Sequence, residues 1–182
     1  MESNEAGDPT KSCRILFLGA SSVGKTSVVS KFMGGKGVAG QRETVQEMYR
    51  RELVVGKAGV RVSVTLEDTG GFYTSEFPVM AALSLRHCDL LVLVYSLADP
   101  SSWQELCRLR DQALAAIPNL PILVLANQAD RDRAMPFEEV EATVSIDWEC
   151  GYMETSARTT SQANMESLLC KIVCHALNWA AL

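Results

Sequence analysis

Gly19-Ala20-Ser21-Ser22-Val23-Gly24-Lys25-Thr26-Ser27 follows directly on the apolar run Ile15-Leu16-Phe17-Leu18. Its first eight residues spell G-x-x-x-x-G-K-[ST]. A buried strand that breaks at glycine and restarts as a helix near Lys25 is the setting in which such a loop wraps a phosphate. The glycines let backbone N–H groups turn inward, and the helix adds its positive N-terminal end. Lys25 then reaches toward the outer phosphates, and the Thr26 hydroxyl is placed to ligate Mg²⁺.

Working outward, the same alternation of strand and helix recurs. Val60, Val62, Val64 and Leu66 alternate with Arg61, Ser63 and Thr65, which predicts a strand with one polar face. Glu47 to Val55 precedes it, joined through Gly56-Lys57-Ala58-Gly59, and the pair reads as an antiparallel hairpin. Leu90–Tyr95 and Ile122–Ala126 are continuous apolar runs, as expected of central parallel strands covered on both faces. Asp99-Pro100 opens a helix whose buried stripe is Leu106, Leu109, Ala113 and Ile117. The last helix carries Met165, Leu168, Leu169, Ile172, Val173 and Ala176 on one face. The class is α/β in three layers, without an internal repeat or a second domain. Residues 1–11 read as a disordered lead and residues 12–180 as the domain. Residues 34–43, GGKGVAGQRE, read as a glycine-rich mobile loop.

The composition narrows the partners. A net charge of −5 over 182 residues argues against general affinity for nucleic acid or anionic membrane. No apolar run approaches the roughly 18–20 residues of a membrane span. The six cysteines form no C-x-x-C pair and suit reduced, buried thiols, so a cytoplasmic location is expected, with any peripheral membrane association made through partners. His87 and His175 are isolated, Trp103 and Trp179 fall in helices as packing residues, and Glu138, Glu139 and Glu141 form a solvated face.

In such sheets ligands bind beyond the carboxyl ends of the strands. Asp68-Thr69-Gly70-Gly71 ends one strand; the carboxylate can hold Mg²⁺ through water, and the Gly71 N–H can meet a terminal phosphate. Asn127-Gln128-Ala129-Asp130 ends another. Asp130 can accept two N–H bonds from guanine, for which adenine has no matching donor pair. Thr155-Ser156-Ala157-Arg158 follows about Met153 and offers a backbone N–H to the guanine carbonyl. Each is weak alone, but together and in this order they specify a guanine-nucleotide site.

Across about residues 12–180 the chain resembles the Ras superfamily of small GTPases. GASSVGKT, DTGG, NQAD and TSAR are similar to that family's first, third, fourth and fifth nucleotide boxes. Thr44, in ETVQEMYR, resembles the single threonine of its second box. VYSLADPSSW also looks like the family, and FPVMAALSL, Phe77 to Leu85, is similar to the Rhes and dexamethasone-induced branch. The resemblance implies a P-loop NTPase fold: a six-stranded, mostly parallel sheet with one antiparallel edge hairpin and helices on both faces. It implies GTP and GDP as ligands, held by Gly19, Ser21–Ser27, Asn127, Gln128, Asp130, Ser156, Ala157 and Arg158. It implies Mg²⁺ on Thr26, Thr44 and Asp68, catalytic roles for Lys25, Thr44 and Gly71, and effectors and regulators that read segments 41–55 and 71–83. A monomer is expected.

Four departures qualify the resemblance. Phe72 stands where the family has its water-positioning glutamine, so slow hydrolysis is expected. Ser21 stands where Ras has glycine. Gln128 replaces the lysine whose stem lies along the base, and Gly37 aligns with the aromatic that covers its other face; both losses should loosen the nucleotide. The sequence ends NWAAL, without a C-a-a-X cysteine or a polybasic run, so Ras-type lipid anchoring is not expected from it. Two other readings stand beside a GTP/GDP switch. One is a scaffold that binds nucleotide without useful hydrolysis. The other, a P-loop small-molecule kinase, is disfavoured by Asn127, Asp130 and the lack of an arginine-rich lid.

Overall fold

The computed structural model describes residues 11–35, 44–56 and 59–177. Six strands form one sheet. They are β1 (Lys11–Leu18), β2 (Gln46–Val55), β3 (Val60–Thr69), β4 (Leu90–Ser96), β5 (Ile122–Asn127) and β6 (Gly151–Glu154). Their spatial order is β2-β3-β1-β4-β5-β6. Only β2 runs antiparallel, paired with β3 from Gln46↔Thr69 to Val55↔Val60. The other neighbours are parallel. This is the expected six-stranded, mostly parallel α/β sheet with one edge hairpin. β1 begins earlier than its apolar run, because Lys11 already pairs with Val62; that residue belongs to the sheet and not to the lead. Gly37, the rest of 36–43, Trp179 and the final NWAAL lie outside the described residues.

Helices α1 (Lys25–Phe32), α2 (Tyr73–Glu76), α3 (Pro78–His87), α4 (Pro100–Ala116), α5 (Phe137–Ala142) and α6 (Gln162–Ala176) cover both faces, and α5 runs into a π-helical turn, Thr143–Asp147. The pleat sends alternate residues of β1 to opposite layers. Ile15 and Phe17 pack with Val28, Val29 and Phe32 of α1 and with Met165, Leu169 and Ile172 of α6. Leu16 and Leu18 pack with Ala81 and Leu85 of α3 and with Leu106 and Leu109 of α4. β4 and β5 are buried at every position, so neither shows a polar alternation. Asp99 caps α4 by accepting the Ser101 amide at 2.9 Å, with Pro100 in the first turn. Among the described residues no helix is long and apolar enough to cross a membrane, and all six cysteines are free.

Candidate nucleotide-binding site

The carboxyl ends of β1, β3, β4, β5 and β6 point to one side of the sheet, and the expected boxes meet there. β1 ends at Leu18, and the loop from Gly19 turns under the start of α1. Gly24 caps α1 with φ 91, and a Cβ there would collide with the Asn127 amide. Ser22 also takes a left-handed φ of 63, a conformation that costs a residue with a side chain. Lys25 is buried, and its ammonium donates to the Gly19 and Ala20 carbonyls, each at 2.8 Å. Burial pulls its pKa down to about 8, while the nearby Asp68 opposes that shift. The lysine is therefore folded back across its own loop, with its charge held where anionic oxygens would sit.

A cleft of about 740 Å³ opens over this loop. Ser21, Ser22, Gly24, Lys25, Thr26 and Ser27 line one wall; Thr44, Thr69, Gly70, Gly71 and Phe72 line the other, and Gln128 and Arg131 sit at the end. The Thr44 and Thr26 hydroxyls meet at 2.9 Å. The Gly70 amide donates to the Val45 carbonyl at 3.1 Å, which ties the segment after β3 to the segment before β2. A Cβ at Gly71 would overlap Ser21, and one at Gly70 would overlap the Thr44 carbonyl; these two positions therefore have no room for a side chain.

Asp68 is fully buried at the end of β3, and neither of its carboxylate oxygens has a hydrogen-bond partner. Burial pushes its pKa up to about 6, while the Thr26 hydroxyl, near but outside hydrogen-bond geometry and engaged with Thr44, and the Lys25 charge draw it down. A buried, unpartnered carboxylate is costly unless something positive completes it. It lies among the hydroxyls of Thr26 and Thr44. That donor set is all hard oxygen and is too small to enclose an ion alone. It suits Mg²⁺, which takes one or two protein carboxylates and completes its shell with phosphate and water. Among the described residues no cluster of three or more His, Cys, Asp or Glu could hold a metal by itself.

At the far end, Asn127 is a buried staple. Its side-chain N–H donates to the Val23 carbonyl at 2.8 Å, and its oxygen accepts the Ala157 amide at 3.0 Å. That joins the β1 loop to the turn after β6. The Ala157 N–H is thus engaged within the protein, and the Ser156 N–H donates to Thr160 Oγ1 at 3.2 Å. Both of these amides of the Thr155–Arg158 turn are therefore bonded within the protein. Asp130 accepts the Ser156 hydroxyl at 2.6 Å, which with the lesser pull of Arg158 holds its carboxyl below the usual range. The Arg158 guanidinium is mostly exposed, 3.8 Å from Asp130.

Gln128 is more than a lost lysine stem. Its amide donates to the Ser22 carbonyl at 3.0 Å, and its oxygen accepts the Ser96 hydroxyl at 2.7 Å. The residue bridges the end of β4 to the strained point of the phosphate loop. Ser96 was not legible as a site residue, because its only signal is its place at the end of an apolar run. Phe72 is 60 % exposed at the mouth of the cleft, immediately before Tyr73 at the start of α2. Its ring offers no donor or acceptor.

This geometry agrees with the comparisons. A model of the Ras family matches residues 14–178. The chain belongs to the Ras family. It is 33% identical to GTP-binding protein Rhes of Mus musculus and of Rattus norvegicus, over 84% of this chain and 61% of theirs. The human protein of that name is 32% identical over the same shares. The chain thus spans about 61% of the length of these Rhes relatives. The family resemblance, read from the nucleotide boxes, and the Rhes-like similarity, read from Phe77 to Leu85, are borne out.

Proposed function

We propose that this Ras-family domain binds GTP and GDP with Mg²⁺ and acts as a switch with slow intrinsic hydrolysis. The observation that carries the reading is the buried, unpartnered Asp68 carboxylate beside the paired Thr26 and Thr44 hydroxyls and the folded-back Lys25. Nucleotide phosphates would take the Lys25 charge and the loop amides from Gly19 to Thr26. Thr26, Thr44 and Asp68 would hold Mg²⁺, which when bound neutralises charge on the β- and γ-phosphates. Asp130 would accept the two guanine donors, the Arg158 amide would meet the base carbonyl, and Asn127 would keep loop and base turn in register.

In hydrolysis, water attacks the γ-phosphorus, the bond to the bridging oxygen breaks, and GDP and phosphate leave. The chain supplies charge and position through Lys25, Thr44 and the Gly71 amide. It has nothing at Phe72 to orient the water, so the intrinsic step is slow. Loss of the γ-phosphate would release Thr44 and the segment after Gly71. The exposed apolar residues Val45, Met48, Phe72, Val79, Met80 and Leu83 lie on those two segments and suit a protein that reads them.

Single-turnover hydrolysis of GTP, alone and with candidate activating proteins, tests the switch. Turnover under either condition supports it. No turnover under any condition, with GTP still bound, favours a nucleotide-loaded scaffold, for which Phe72 is the specific observation.

A further inference from the structure

β3 ends with two adjacent buried carboxylates, Glu67 and Asp68, and the pleat sends them to opposite faces. Asp68 lies toward Lys25 and Thr26. Glu67 lies toward α3, away from the cleft, and nothing described so far uses it. It is fully buried and fully bonded. One oxygen accepts two bonds from Arg14, at 2.9 and 3.2 Å. The other accepts the Gln46 amide at 2.6 Å and the Ser84 hydroxyl. With its proton given to Glu67, the Ser84 oxygen is left to accept from the Tyr73 hydroxyl at 3.2 Å. Tyr73 and Ser84 are themselves buried, whereas Arg14 is about a third exposed and carries the countercharge to the surface.

The placement of these partners is the point. Gln46 stands two residues after Thr44, and Tyr73 two residues after Gly71. One carboxylate oxygen therefore holds the first segment directly, through Gln46, and the second by way of Ser84 on α3, which meets Tyr73. We propose that Glu67 is a positioning residue that latches these two segments together, so that they order and release as one unit. The inference rests on the nucleotide-switch reading for its consequence, though the latch itself is built from the protein alone. With Phe72 unable to orient water, alignment at the reacting end falls to Lys25, Thr44 and the Gly71 amide, and the latch acts on the last two from two residues away. A buried ion pair is seldom retained for stability, since apolar residues of similar volume often serve as well; coupling gives this one a use.

Amide hydrogen exchange on the full chain, loaded with GDP or a non-hydrolysable GTP analogue, tests the coupling. Bound nucleotide is quantified in the same samples. Ser84→Ala is expected to speed exchange at 44–48, and Gln46→Leu at 71–77, each by about tenfold, as loss of a hydrogen bond to a charged group implies. Glu67→Leu should loosen both, with α6 exchange unchanged. A purely structural carboxylate would instead loosen each variant's own segment or raise exchange everywhere, and either result overturns the latch. If Glu67→Leu does not fold, Glu67→Gln takes its place, because the Gln46 amide also reaches Ser84 Oγ directly at 3.4 Å and the two end substitutions alone would not isolate the carboxylate. If no nucleotide is bound, the switch reading fails, and the cross-effects still report on the latch.

Discussion

The two ends of the candidate site are built differently. At the phosphate end the chemistry is buried and rigid: Lys25 and Asp68 are enclosed, and Gly70 and Gly71 pack against Thr44 and Ser21 without room for a side chain. At the base end the groups lie near the surface. The Arg158 side chain is mostly exposed, and the lysine stem of the family is replaced by Gln128, which bonds to Ser22 and Ser96. The difference separates affinity from selectivity. On the proposed reading, charge and amide donors in this cradle would hold the phosphates of any nucleotide, whereas Asp130 would decide which base is accepted.

The comparison can be broken at either end. Lys25→Met should have the largest effect, weakening GTP and GDP by at least about a hundredfold, because it removes charged hydrogen bonds to more than one phosphate oxygen. Titration with fluorescent nucleotide, beside a thermal melt showing the fold intact, checks it. Asp130→Asn should lower guanine affinity by roughly a hundredfold and favour xanthine nucleotides, since the amide now presents a donor to the base where the carboxylate accepted. Competition between GTP and XTP reads this directly; unchanged preference would mean that Asp130 does not contact the base. Phe72→Gln should raise single-turnover hydrolysis by about tenfold, the modest yield of one added group in a loop shaped around another residue. Gln128→Lys should have the smallest effect, tightening GDP by about fourfold through one more CH₂ against the base. Looser binding there would show that the bridge from Ser96 to Ser22 matters more than the base contact.

The parts of the molecule legible in the sequence are those written locally. Strand β1 and its loop, the hairpin and the apolar runs of β4 and β5 each sit within a few residues, so periodicity and glycine spacing reveal them. Lys25, Asp68, Asn127 and Asp130 follow, because strand ends dictate where a site forms. The parts not legible depend on distant partners. Glu67 continues the polar row of Arg61, Ser63 and Thr65, and looks like another solvated residue. Its burial appears only when Arg14, Gln46 and Ser84 arrive from three other elements. Likewise, Trp148 carries no signal in its own neighbourhood. It stacks on Trp103 at 5.4 Å, with Arg110 over its ring at 4.4 Å. The engagement of the Ala157 amide by Asn127 is also a long-range fact, since thirty residues separate them.

The most direct measurement is equilibrium binding of fluorescent GDP, GTP and ATP analogues to the purified chain, with Mg²⁺ and with the metal chelated. The expected result is binding of both guanine nucleotides but not ATP, weakened on chelation because Asp68 and the phosphates then face each other unscreened. Binding of none of them, or of ATP alone, would contradict the guanine-nucleotide site.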